Sequence, residues 1–256
     1  MKGGQYLPAL HFIYPNNIFN ISPDMKRLIF LCSIIALTFP ADAQSIRVKK
    51  IRQVRVEHDA YHPSFKDKSH LILLSGRDQQ PVSLYNTRTR RDKPVSELQM
   101  EPGSNHAAGA IQAKVDGKKI EMTIPGKAPV KIAPVGEVFY IWVSVSPDQQ
   151  RLLFTAAGKG TYVSDLDGNI MADLGILNAP SWLNNEWVLG MNDRDDGHQV
   201  ISSDVHAVHV ESGRRENLTA EIQGIALYPK ASTDADRVAF HNLKGEVFTM
   251  KIKIKE

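Results

Sequence analysis

Residues 144–154, SVSPDQQRLLF, share a skeleton with residues 230–240, KASTDADRVAF. Ser146, Asp148, Arg151 and Phe154 stand at the same offsets as Ser232, Asp234, Arg237 and Phe240. An internal repeat limits the fold strongly, because every copy must form the same local unit and no copy buries its apolar face alone. Looser copies appear in KVDGKKIEM (114–122), PSFKDKSHLILL (63–74) and PSWLNNEWVLG (180–190). Anchored at the first turn residue, the copies begin at Lys66, Lys114, Ser146, Leu183 and Ser232. The anchors lie 48, 32, 37 and 49 residues apart, about 41 on average. That is the period of a propeller blade of four short strands.

The strand pattern within a copy agrees. After Ser146 the chain runs RLLFTA, a turn at GKG, TYVSDL, a turn at DGN, then IMADLG. These are short apolar or alternating runs separated by hairpin chemistry. No long stretch has helical periodicity, so the expected class is all-β. The expected architecture is a β-propeller of about five four-stranded blades, with a sixth only if a degenerate copy escapes the query. Blade two, about residues 103–136, is short and degenerate. The Ser and Asp of each copy are expected to cap a tight turn through nearby backbone amides. The run after the turn is expected to be a strand buried on both faces. Phe65, Trp142 and Trp182 are expected between blades, and strand Ile46–Glu57 is expected to return and complete the last blade.

Residues 146–154, SPDQQRLLF, resemble the SPDG-type signature of TolB-like β-propeller repeats, a WD-type bacterial exported family, with Gln149 in place of Gly. Ser232 to Phe240 is similar, with Thr233 for Pro and Ala235 for Gly. Ser203-Asp204-Val205-His206, Ser212-Gly213 and Asn217-Leu218-Thr219 resemble the remainder of such a repeat. The resemblance covers about residues 60–256 and implies a fold rather than an activity. TolB itself has a further N-terminal α/β domain, for which this chain has no room, and six blades, the sixth of which it has hardly any room for.

Residues 25–43 have the make-up of a secretory signal. Lys26 and Arg27 precede an apolar run from Leu28 to Phe39, too short to span a bilayer, followed by Ala41-Asp42-Ala43. Residues 1–24 are read as a start-site over-call or an extended n-region of the signal, and residues 44–256 as one propeller domain. Its 213 residues contain no cysteine, since the single one is Cys32. Stability must therefore come from a hydrophobic core. Charge is mixed, with 31 Lys and Arg against 28 Asp and Glu, which argues against a nucleic-acid partner. The clusters Arg88/Arg90/Arg91 and Lys49/Lys50/Arg52 are read as solvated turns or strand edges.

The stretch NDRDDGHQVISSD (192–204) is the one acidic cluster with character. Asp193, Asp195, Asp196 and His198 are candidate ligands for a divalent cation such as calcium, although their spacing is one residue short of a calcium loop. The alternative is an extended hairpin with Gly197 at its turn. No nucleophile elbow, zinc-protease helix, paired cysteine or phosphate loop is present. His206 and His209, three apart on a strand, should face opposite ways. His58, His62 and His70 are read as turn or core residues, and Asn217-Leu218-Thr219 as a strand-end cap. The expectation is therefore an exported, non-catalytic, monomeric binding module of the periplasm or cell surface with a protein or peptide partner and no cofactor. The alternatives are an envelope glycan-active lyase or hydrolase, or a metal-stabilised propeller, with a site near 192–204.

Overall fold

The computed structural model describes residues 44–76, 79–95 and 109–255. The expected leading stretch and signal segment, including Cys32, lie outside the described residues.

β1 (Ser45–Gln53) opens the described chain. β2 (Tyr61–Phe65), β3 (His70–Leu74), β4 (Pro81–Asn86) and β5 (Arg91–Pro94) pair in sequence order as a first sheet. β6 (Gln112–Asp116), β7 (Lys119–Thr123) and β8 (Val130–Ile132) make a three-stranded second sheet. β9 (Tyr140–Val145), β10 (Arg151–Ala156), β11 (Gly160–Asp165) and β12 (Ile170–Asp173) form the third. β13 (Asn178–Trp182), β14 (Trp187–Asp195), β15 (Val200–His209) and β16 (Arg215–Asn217) form the fourth. β17 (Leu227–Ala231), β18 (Arg237–His241) and β19 (Val247–Lys255) form the fifth, and β1 completes it beside β19. Every pairing is antiparallel. The return of the N-terminal strand to the last sheet, expected from the sequence, is observed from Ser45↔Lys255 to Gln53↔Phe248, with a bulge at Lys49.

The repeated turns explain the repeat. Ser146 Oγ donates to Asp148 Oδ1 (2.5 Å) and accepts from the Arg151 N–H (2.9 Å). Ser232 Oγ does the same with Asp234 Oδ1 (2.8 Å) and the Arg237 N–H (3.1 Å). Both serines are buried, so a hydroxyl that both donates and accepts leaves nothing orphaned. In the first and fourth sheets the turn is shorter. There Asp67 and Asn184 take over, each accepting two backbone N–H groups at 2.7–2.9 Å. The second sheet differs from expectation. Its Asp116-Gly117 turn does not occupy the Ser-Asp position. It lies at the opposite end of the sheet, where the Gly117 carbonyl accepts the N–H of Tyr140 at the start of β9. Asp-Gly suits any tight hairpin, so the dipeptide alone does not say which hairpin it makes.

In the first sheet β3 alternates, with Leu71 and Leu73 buried and Ile72 and Leu74 half-buried, whereas in the third, fourth and fifth sheets the strand after the turn is buried on both faces: Leu152, Leu153 and Phe154 have no exposed surface. Burying each contributes about 2 kcal/mol. The sheets pack face to face through these strands. Ile120 and Met122 meet Leu152 and Phe154. Leu153 and Val163 meet Val188 and Val208. Leu189 and Val205 meet Val238 and Ile252. Leu71 and Leu73 of the first sheet meet Ala239 and Val247 of the last. First strands also lie side by side: β9 against β13, β13 against β17, and β17 against β2. This is the arrangement of β-propeller blades about a common axis.

Candidate binding face at the leading ends of the first strands

β2, β9, β13 and β17 each contain a register irregularity near the leading end. At that point each has a non-glycine residue with positive φ: His62 (44°), Trp142 (54°), Ala179 (44°) and Tyr228 (52°). A left-handed residue with a Cβ costs about 1 kcal/mol or more, so four at one level are a built feature of this end. Bulges re-aim side chains next to functional surfaces. Pro63, Pro180 and Pro229 follow three of the four and bar right-handed helical geometry before them. The Tyr228 N–H, freed from the ladder, is 3.1 Å from Met191 Sδ.

The bulges gather an aromatic cluster between the first and last sheets. The His62 ring is 4.2 Å from Tyr228 and 5.0 Å from His241, and Tyr61 meets His241 edge-on at 5.3 Å. His241 is 3% exposed. Its Nδ1 pairs with the Asn242 carbonyl at 2.9 Å, and its buried Nε2 has no hydrogen-bond partner among the described residues. Burial pushes the His241 pKa down to about 4, against the raising effect of the Asn242 carbonyl, and nearby His62 lowers it further. Burial and then the positive charge of Lys230 hold His62 below its ordinary value. Lys230 stays accessible to solvent, and partial desolvation of its ammonium lowers its pKa.

In an antiparallel meander, the leading end of the first strand, the second hairpin and the link to the next sheet all lie at one end. Seven of the ten exposed large hydrophobic residues among the described residues fall there: Val115, Phe139, Ile141, Trp142, Ile176, Ile201 and Leu243. Phe139 is 61% and Ile176 68% exposed. A cleft of about 410 Å³, mostly apolar, runs between Ile141, the 157–159 turn and Ile176. The Ala157 N–H donates to the Phe139 carbonyl (2.8 Å), and Lys118 Nζ sits 5.9 Å from the Phe139 ring centre.

The 192–204 stretch is the β14–β15 hairpin at this same end. Asp195 accepts the Gly197 N–H, and Asp196 accepts those of His198 and Gln199, each at 2.9 Å. Those bonds hold the Asp196 carboxyl below its usual pKa. Asp193 instead accepts from Asn178 Nδ2 at 2.8 Å. The hairpin therefore does not bring Asp193, Asp195, Asp196 and His198 together, and among the described residues no three His, Cys, Asp or Glu side chains group to hold a metal.

Phe65 is buried between sheets, and Trp182 packs between the third and fourth, where Arg151 lies 5.8 Å over its ring. Trp142 is not an inter-sheet filler. Its bulge turns it outward, and it is 39% exposed. His70 is a turn residue, its Nδ1 2.8 Å from Asp67. His62 is neither turn nor core and belongs to the axial cluster. The missed signal was the residue preceding each Pro-Ser or Pro-Lys.

No family model matches the chain, and no curated protein matches it. Solved structures do. A structure described as YCF48 bound to D1 peptide aligns at 10% identity over 78% of this chain and 94% of that one, TM-score 0.49. A TolB homologue from Agrobacterium tumefaciens aligns at 16% identity over 78% of each chain, TM-score 0.41. The WD40 β-propeller domain of Doa1 aligns at 10% identity over 81% and 97%, TM-score 0.40.

Proposed function

We propose that residues 44–256 form a closed five-bladed β-propeller that acts as an exported, monomeric, non-catalytic binding scaffold. It holds an apolar segment of a protein or peptide partner on the face formed by the leading ends of the first strands. One observation carries this reading: Ile141 and Ile176 line one apolar cleft on that face, and Phe139 and Trp142, the neighbours of Ile141 along the chain, are exposed there too. Exposed apolar patches of this kind serve recognition, and a rigid ring of sheets presents them at little ordering cost. Trp and Phe are the side chains that anchor such interfaces.

Selection of a random peptide library on the purified protein tests it, with a Trp142→Ser/Ile176→Asp variant as counter-target. Enriched peptides should carry aromatic or aliphatic residues and bind the variant at least about tenfold more weakly, the loss of one anchor. Enrichment indifferent to the two substitutions overturns it. Export is tested by producing residues 25–256 in a bacterium and sequencing the recovered N-terminus, expected at Gln44.

A further inference from the structure

The two basic clusters, far apart in sequence, meet in space. One cleft of about 430 Å³ is bounded by Arg52, Arg55, Tyr85 and Arg90. A second, of about 320 Å³, is bounded by Lys50, Arg52, Arg88, Arg237 and Lys251. They share Arg52, Thr87 and Thr249, so they form one groove along the seam between the last sheet and the first. No Asp or Glu lines either part.

Folding does not require this charge. Lys251 is the direct cross-strand partner of both Lys50 and Arg237, so three cations stand in a row across three strands. Like charges directly opposite destabilise a sheet. Asp236 relieves part of it, 3.7 Å from Arg237 and 3.9 Å from Lys251. Arg237 also donates to the Lys68 carbonyl (2.7 Å) and so ties the seam together. Lys50, Arg52, Arg55, Arg88 and Arg90 make no side-chain hydrogen bond or ion pair among the described residues. Arg90, Arg52 and Arg55 all bear on the Tyr85 hydroxyl at the floor of the groove, and Asp92 opposes them.

We infer that this seam groove binds an extended acidic peptide segment with Asp or Glu at alternating positions. Lys50 and Arg52 alternate along β1, which places them roughly 6–7 Å apart, the repeat of same-face side chains in any extended chain. Arginine forks match carboxylates two-pronged, and Thr87, Thr249 and Tyr85 offer hydroxyls to an extended backbone. Arg88 and Arg90 lie in the β4–β5 turn, at the opposite end of their sheet from His62. The groove is thus separate from the apolar face, and either reading stands without the other.

The test is fluorescence anisotropy with a labelled alternating Glu–Ser peptide on the intact protein. Binding should weaken about tenfold or more between about 50 and 200 mM salt, since each contact is ionic. Arg52→Ala/Arg88→Ala/Arg90→Ala should lose at least about tenfold, while Trp142→Ser and Arg194→Ala should bind as the parent does. The triple variant should melt no lower than the parent, because it removes unpaired like charges. Failure of the peptide to bind, or equal binding by the triple variant, overturns the inference. So does tighter, Arg52-dependent binding of inorganic polyphosphate or of phosphatidylglycerol vesicles, which would make the groove a phosphate site.

Discussion

The His62 imidazole stands edge-on against the Tyr228 ring, centroids 4.2 Å apart and planes 65° from parallel. One belongs to the first strand of the first sheet and the other to the first strand of the last. The contact joins the first sheet to the last, and it sits over His241, stacked 5.5 Å from Tyr228.

That stack makes stability depend on pH. The His241 pKa is lowered from 6.5 to about 4 in the folded protein, chiefly by burial. As pH falls, the unfolded chain takes the proton first. The contribution is therefore fully present above about 6.5, is lost between about 6.5 and 4, and is flat below. A shift of this size corresponds to about 3 kcal/mol. Urea unfolding near pH 7.5 and 4.5 should show a loss of that order, with His62 adding in the same direction. His241→Phe, which keeps an aromatic ring against Tyr228, should flatten most of the slope.

The left-handed turn position can be improved in one copy and not in the other. Ala235 has φ 54° and Gln149 has φ 63° where glycine would be unstrained. Ala235→Gly should raise stability by about 0.5–1 kcal/mol. Gln149→Gly should not, because the Gln149 side-chain amide oxygen Oε1 accepts the Ile111 N–H at 2.7 Å and that bond would be lost. Thermal melts of the two variants distinguish them.

Gly190 has no room for a side chain. A Cβ there would stand 2.3 Å from Leu177 Cγ, under the loop that carries Ile176. Gly190→Ala should cost about 2–3 kcal/mol in chemical denaturation. Adding Leu177→Ala should recover part of that loss, since the two sites are in contact and their effects do not add.

β1 should be indispensable. A chain beginning at Val54 leaves the outer edge of β19 unpaired and uncovers Ile252. It should lose its cooperative melt, and a synthetic peptide of residues 44–53 should restore it.

Local chemistry was legible in the sequence and long-range geometry was not. Ser146, Asp148 and Arg151 fix their turn through bonds within six residues, so their pattern was readable wherever it recurred. The returning strand was legible because the last sheet lacked a fourth run. The axial cluster was not, because the bulges at His62 and Trp142 follow from register between strands and leave only a proline, or in one copy a valine, as a trace. The basic groove was not legible either. Arg52 and Arg90 are separated in the chain by three strands of the first sheet and meet only when the last sheet packs on the first.

The pairing of β1 with β19 also sets how the molecule answers a pull. Ser45 sits opposite Lys255, so the two ends leave the fifth sheet at one corner. Force applied between them falls on one ladder bond at a time, and the seam peels like a zipper at low load. Force applied between Ser45 and the Asn242–Glu246 turn, at the far end of that sheet, would load the ladder in shear and break many bonds together. The β1–β19 ladder should therefore yield at low force between Ser45 and Lys255 and resist far more along its length, and an optical-trap experiment with the two attachment geometries would measure that anisotropy directly.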